Sequence, residues 1–111
     1  MPACTRSLLA SALLVLLSFV APGCASEVEL PANADPELRE GQEIYGARCA
    51  QCHGSAGGGG IGPVLSDVEN RLTVDEQVAV IRNGRNAMPR FDTTLSEEEI
   101  AAVVRFTAEA L

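Results

Sequence analysis

Lysine is absent from the 111-residue sequence, and all eight basic residues are arginines. The chain therefore has neither a Schiff-base nucleophile nor the lysine of a phosphate-binding P-loop. Tryptophan is also absent, and the sequence contains only one tyrosine and three phenylalanines. So few large side chains give a thin core for a single small domain, which a buried cofactor would stabilise.

The sequence also has few positively charged residues. Fifteen acidic residues outnumber the eight arginines, and the formal net charge is −7. A surface this acidic is a poor nucleic-acid binder and repels anionic membrane surfaces. We therefore expect no nucleic-acid partner.

The amino-terminal residues 1–25 are typical of an export signal. Arg6 supplies a positive charge ahead of the uncharged, mainly apolar residues 8–21. This run is shorter than the roughly twenty apolar residues of a membrane-spanning helix, and its length suits the hydrophobic region of a signal peptide. We expect the mature protein to be exported, in the periplasm or at a membrane surface.

The end of this signal has two interpretations. The sequence Ala21-Pro22-Gly23-Cys24 resembles a lipoprotein lipobox, although Ala21 stands where a larger aliphatic residue is usual. Lipidation would make Cys24 the membrane-anchored first residue. Ordinary cleavage after the small residues Gly23 and Ala25 is the alternative. Residues 26–35, which are acidic and contain proline, are predicted to be a short tether before the domain at 36–111.

Three helices have clear start signals. Asp35 can cap a helix beginning at Pro36, because proline suits the first helical position. Ser/Thr-x-x-Glu capping boxes begin at Thr73 and Ser96. Gly41 lies inside the first helix, where a close helix crossing would explain it. No strand pattern is visible, so the domain is predicted to be all-α.

The central motif is C-x-x-C-H, formed by residues 49–53. Cys49 and Cys52 are spaced to form thioethers with the two vinyl groups of one haem, while His53 reaches the iron. A redox dithiol is an alternative use of the thiols, but such a site should follow a strand in a βαβ unit. A structural zinc site needs four ligands, and the mature chain offers only these three. The motif thus predicts one covalent haem c.

Met88 is the candidate for the far side of the iron. It is the only methionine after removal of the leader, and it precedes Pro89. The residue before a proline is disfavoured in a helix, so Met88 is expected in a loop between helices. The alternative is that Met88 only fills a gap in the core.

The glycine-rich residues 54–63 formally contain G-x-G-x-x-G at Gly57, Gly59 and Gly62. No strand pattern precedes these glycines, and Pro63 rather than a helix follows them, which excludes a dinucleotide site. We expect a sharp loop that lies against a planar ring, because glycine permits close backbone approach.

Residues 36–111 resemble a small bacterial class I cytochrome c and are most similar to the group related to the diheme subunit of cbb3-type oxidases. The resemblance implies the class I fold, in which the terminal helices cross and one haem lies in the core. Its marks are Gly41, Tyr45, the C-x-x-C-H motif with Gly54, Gly62-Pro63-x-Leu65, Gly84, Ala87-Met88-Pro89-x-Phe91, Leu95-Ser96-x-x-Glu99-Ile100 and Phe106.

The resemblance also implies a role for each matching residue. Cys49 and Cys52 would carry the thioethers, with His53 as the proximal and Met88 as the distal iron ligand. The carbonyl of Pro63 would accept a hydrogen bond from the other ring nitrogen of His53.

The resemblance has two further implications, one for residues that match the family pattern and one for a residue that does not. Gly41 and Tyr45 would meet Phe106 where the helices cross. Arg90 departs from the family pattern, and it would either bind a haem propionate or be solvated.

The implied function is one-electron transfer without catalytic turnover. The partners are redox proteins, met through apolar contact or through a basic patch of their own, because a lysine-rich docking face is absent. Cys24 would add a lipid anchor to the membrane. Two alternatives remain: a haem with an open distal site, as in a peroxidase or gas sensor, and a thiol-disulfide oxidoreductase.

Overall fold

The computed structural model describes residues 27–111; the predicted signal peptide and Cys24 lie outside the described residues. Four α-helices follow one another, with a 3-10 turn between the second and third. They are α1 (Pro36–Arg48), α2 (Ala50–His53), α3 (Val74–Asn83) and α4 (Glu97–Ala110), and the 3-10 turn is Val68–Asn70. Residues 27–111 contain no β-strand, which confirms the all-α prediction. No helix in this part of the chain is long and apolar enough to cross a membrane.

The helices begin where their capping residues predict. A side-chain oxygen of Asp35 accepts a hydrogen bond from the backbone of Leu38 at 3.1 Å, with Pro36 at the first position of α1. Thr73 and Ser96 each form a complete capping box with the glutamate three positions later. Each cap satisfies backbone donors that the helix cannot pair itself and contributes about 1 kcal/mol.

The terminal helices α1 and α4 cross at Gly41, and the core lies at their contact. Tyr45 and Phe106 are both almost fully buried, and their ring centroids are 5.3 Å apart with planes inclined by 49°. Leu38 completes this buried cluster. The crossing confirms the predicted class of fold.

An ion-pair cluster ties the start of α1 to α4. The Arg105 guanidinium donates to both carboxylate oxygens of Asp35, at 2.6 and 2.9 Å. It also donates to Glu37 at 3.0 Å and to Glu109 at 2.8 Å. This Arg105 contact holds the pKa of Asp35 below its usual value.

Residues 27–35, most of the predicted tether, form no helix but lie against the domain. Val28, Leu30 and Ala34 pack on the core cluster. The Arg39 guanidinium donates to the backbone carbonyls of Ala32 and Ala34, at 2.8 and 3.0 Å. The apolar contacts of residues 27–35 and their hydrogen bonds with Arg39 therefore join this segment to the core at the crossing of α1 and α4.

Candidate haem-binding site

One cavity of about 320 Å³ lies between the helices and the two loops that follow α2 and α3. Its walls contain the five residues that the sequence analysis assigned to haem attachment, iron ligation and orientation of the histidine: Cys49, Cys52, His53, Pro63 and Met88. The remaining lining is mainly apolar, and no aspartate or glutamate contributes to it.

The two thiols lie at the junction of α1 and α2. Cys49 lies between α1 and α2, where its backbone N–H donates to the carbonyl of Tyr45 at 2.8 Å, and Cys52 lies in α2. Both cysteine side chains are partly buried and are not joined to each other by a disulfide. Burial, and secondly the nearby charge that Cys52 would carry, raise the pKa of Cys49 to about 11. Redox-active dithiols instead have lowered thiol pKa values, so this environment does not favour such a site.

His53 is buried, with 7% of its surface exposed, and its ring is held in one orientation. Its Nδ1 lies 2.8 Å from the carbonyl oxygen of Pro63. When Nδ1 carries the proton and donates to that carbonyl, Nε2 is unprotonated and free to ligate a metal. The backbone of Gly62 lies against the ring, because a Cβ there would be 2.8 Å from the imidazole Cε1.

The glycine-rich loop folds back over α2. The N–H of Gly59 donates to the carbonyl of His53 at 2.7 Å, and that of Gly62 donates to the carbonyl of Cys52 at 2.8 Å. The Tyr45 hydroxyl donates to the carbonyl of Gly54 at 2.7 Å. Within this loop, the Gly62 backbone approaches the His53 imidazole; the predicted approach to a cofactor ring stays a prediction. Sequence reasoning assigned Tyr45 only to the helix crossing and missed this second contact.

Met88 lies in a tight turn after α3. Its backbone exchanges two hydrogen bonds with that of Arg85, at 3.0 and 3.2 Å. Asn86 turns the chain with a positive φ of 55°. Gly84 has a φ of 73°, and a Cβ there would lie 2.5 Å from the carbonyl oxygen of Met88. The turn places Met88, which is half-buried, on the cavity wall.

Three arginines line the cavity, and sequence reasoning did not single them out. They are Arg48, Arg71 and Arg85. Arg71 also donates to the carbonyl of Val64 at 2.8 Å. Arg90, the arginine that the sequence analysis did consider, is not among the lining residues and donates through Nε to Asp92 at 2.7 Å. No local pattern marked the three arginines, because they come from different segments.

The residues present fit a haem. The porphyrin is a large apolar ring, and the cavity walls are mainly apolar. Two thiols, a buried imidazole and a thioether supply the covalent attachments and the iron donors that a c-type haem needs. Zinc would require a further ligand, and a dithiol redox site would need neither the methionine nor the apolar walls.

An all-α domain with crossed terminal helices and a C-x-x-C-H motif on an apolar cavity is a class I cytochrome c. The model of a protein family described as cytochrome c oxidase, cbb3-type, subunit III matches residues 36–106. The chain belongs to this family. Its cofactor is accordingly one covalent haem c, and Cys49, Cys52 and His53 fit the attachment motif.

Individual proteins show the same relationship. The chain is 36% identical over 75 residues to cytochrome c6 of Leptolyngbya boryana, covering 62% of this chain and 87% of that protein. It is 30% identical over 100 residues to cytochrome c-551 of Bacillus subtilis, covering 88% of each. The crystal structure of cytochrome c6 from the diatom Phaeodactylum tricornutum superimposes with a TM-score of 0.56 at 32% identity, covering 63% of this chain and 88% of that one.

Proposed function

We propose that this protein is an exported one-electron carrier with Cys49 and Cys52 as haem thioethers and His53 and Met88 as axial ligands. The observation that carries the proposal is the 2.8 Å contact between Nδ1 of His53 and the Pro63 carbonyl. It orients the imidazole for metal ligation and increases its basicity, as second-shell hydrogen bonds to metal-bound histidines do.

The haem supplies a reversible one-electron couple between Fe(III) and Fe(II). The residues around it determine how that couple is used. A Met88 thioether, together with the His53 imidazole, would hold the iron, favour the reduced state and raise the reduction potential relative to harder ligands. The mainly apolar walls limit water, which also affects the potential. Because His53 and Met88 would both hold the iron, no iron position would remain for a substrate, so we expect no turnover.

Export and anchoring are part of the proposal. Within the predicted export signal, residues 1–25, cleavage before Cys24 leaves lipidated Cys24 as the mature amino terminus. Three residues, 25–27, then separate the anchor at Cys24 from Val28, which packs on the core cluster. Cys24→Ser should shift the holoprotein from the membrane fraction to the soluble periplasmic fraction. A wild-type holoprotein that is already in the soluble periplasmic fraction would instead indicate ordinary cleavage.

Mass spectrometry of the exported protein tests the haem assignment. We expect a mass increase of one haem and no alkylation of Cys49 or Cys52 after reduction. Two alkylatable thiols on an otherwise unmodified chain would instead indicate the thiol-disulfide oxidoreductase.

Absorption spectra of the reduced protein with and without carbon monoxide test the axial assignment. A closed His53/Met88 site should leave the spectrum unchanged when the gas is added. Rapid binding of carbon monoxide would indicate an open distal position, as in a peroxidase or gas sensor.

A further inference from the structure

We propose that the face around the haem cavity docks redox partners through an acidic patch on the partner, although this chain is itself acidic overall. The proposal rests on the electron-carrier function and names the chemistry of the partner. It reverses the expectation from net charge, which favours a partner with a basic patch.

Local charge at the cavity is opposite in sign to the charge of the whole chain. Arg48, Arg71 and Arg85 line the cavity and are exposed, and no carboxylate lines it. Arg71 is fixed by its hydrogen bond to the carbonyl of Val64. Among residues 27–111, neither Arg48 nor Arg85 has an ion pair that would neutralise it. These arginines therefore remain available to an approaching carboxylate.

An apolar surface lies beside these charges. Ile61 is 84% exposed and Val64 is 47% exposed, and both line the same cavity. Exposed apolar side chains at the cavity mouth can contact a docked partner directly. Because charge complementarity governs orientation and encounter rate, the flanking arginines select an acidic partner.

Three acidic residues lie together in a groove away from the cavity. Glu27, Glu29 and Glu43 line a separate groove, where residues 27–30 meet α1. On α1, Glu43 and Arg48 are five positions apart, which places them about 140° apart around the helix axis. The resulting charge asymmetry would orient the molecule with its cavity towards a negative surface.

Two small oxidants of opposite charge test this surface without knowledge of the partner. In stopped-flow mixing, the reduced holoprotein loses one electron to anionic hexacyanoferrate(III) or to cationic tris(phenanthroline)cobalt(III), and each reagent is reduced by one electron. We expect the rate with the anion to fall as ionic strength rises, and the rate with the cation to rise. If net charge controlled the encounter, both trends would be reversed and the proposal overturned.

Substitutions of single arginines test which residues cause the salt dependence of the rate. Arg48→Gln and Arg85→Gln should each lower the rate with the anion at low salt by roughly two- to fourfold and reduce its salt dependence. Arg82→Gln is the matched control, because it removes the same charge from an arginine that pairs with Glu97 and does not line the cavity. Equal effects of all three substitutions would show that only net charge matters.

A haem propionate is the other anion that these arginines could face, and the reduction potential separates the two roles. Docking predicts altered salt dependence with a nearly unchanged potential. A shifted potential with unchanged salt dependence would overturn the docking proposal. A holoprotein that transfers electrons to neither reagent would overturn the electron-carrier function itself.

Discussion

The backbone of Gly41 in α1 lies directly against the carbonyl of Ala102 in α4. A Cβ at Gly41 would be 2.1 Å from that oxygen and 3.0 Å from the Cβ of Phe106. Since the obstacle is backbone rather than a movable side chain, the helices could accept a larger residue only by separating. Separation would in turn disrupt the packing of Tyr45 on Phe106, the main aromatic contact of the core.

Gly41→Ala should therefore destabilise the protein by at least about 2 kcal/mol, although alanine is the better helix former. Gly46→Ala is the matched control in the same helix, because its Cβ would meet nothing within 4 Å. It should be neutral or stabilising by up to about 1 kcal/mol. The measurement is the free energy of unfolding of both holoproteins in urea. Equal stability of the two variants would show that the close contact does not hold in solution.

Local chemistry accounts for the parts of the fold that the sequence predicted. Asp35, Thr73 and Ser96 mark helix starts because a capping side chain bonds to backbone only two or three positions away. The interpretation of Gly41 needed only the cost of a glycine inside a helix. The partner of His53 is different: Pro63 came from the family resemblance, because residue types alone do not indicate which carbonyl faces an imidazole.

Features that depend on distant segments escaped sequence reasoning. Val28 and Leu30 lack helical or strand periodicity, yet they pack near Phe106 at the other end of the chain. The net charge is a sum over the whole chain, so it does not show that three arginines lie together around the cavity. Sequence reasoning considered Arg90 because it departs from the family pattern after Met88-Pro89, although its guanidinium pairs with Asp92.

The packed segment before α1 should contribute to stability. Val28→Ser and Leu30→Ser should each lower the free energy of unfolding by about 1 kcal/mol, since both side chains are partly buried on the core cluster. Glu29→Ser is the control, because this exposed residue lies between them. Urea denaturation measures all three variants. If the segment were a free tether, the three substitutions would have equally small effects.

The Asp35–Arg105 pair should make stability depend on pH in the acid range. Arg105 lowers the pKa of Asp35 in the folded protein below its usual value of 3.8. The ionised pair therefore stabilises the fold above that value, and this contribution is lost as the pH falls through the lowered pKa.

Denaturation of wild type and Arg105→Gln at several pH values measures this dependence. Between about pH 5 and about pH 3, wild type should lose more stability than the variant, since the variant lacks the contact that lowers the Asp35 pKa. Arg39→Gln is not a suitable control, because Arg39 binds the backbone of the preceding segment. Arg82→Gln serves better, because its ion pair with Glu97 lies elsewhere. Parallel pH curves for wild type and Arg105→Gln would contradict this role of the pair.

Gly84 should control the position of Met88. Gly84→Ala introduces a side chain at a positive φ of 73° and 2.5 Å from the Met88 carbonyl oxygen. We expect haem to remain attached while the methionine-to-iron charge-transfer band weakens or disappears. Gly58→Ala is the control in the other loop, because its Cβ would meet nothing within 4 Å. An unchanged band in Gly84→Ala would mean that the turn adapts without moving the thioether.

Met88→Ala tests the distal ligand directly. The haem should stay covalently attached through Cys49 and Cys52, because Met88 takes no part in attachment. Loss of the thioether should open one axial position, so the reduced variant should bind carbon monoxide rapidly and its reduction potential should fall.

Leu72→Ala separates this ligand effect from a change in packing, because Leu72 lines the same cavity but offers no donor to iron. It should lower stability without admitting carbon monoxide. A Met88→Ala protein with an unchanged charge-transfer band would show that another residue ligates the iron. If reduced wild type instead bound the gas as fast as the variant, Met88 would be only a core residue and the distal site would already be open. Comparing wild type, Met88→Ala and Leu72→Ala thus distinguishes a closed electron carrier from a haem protein that binds small ligands.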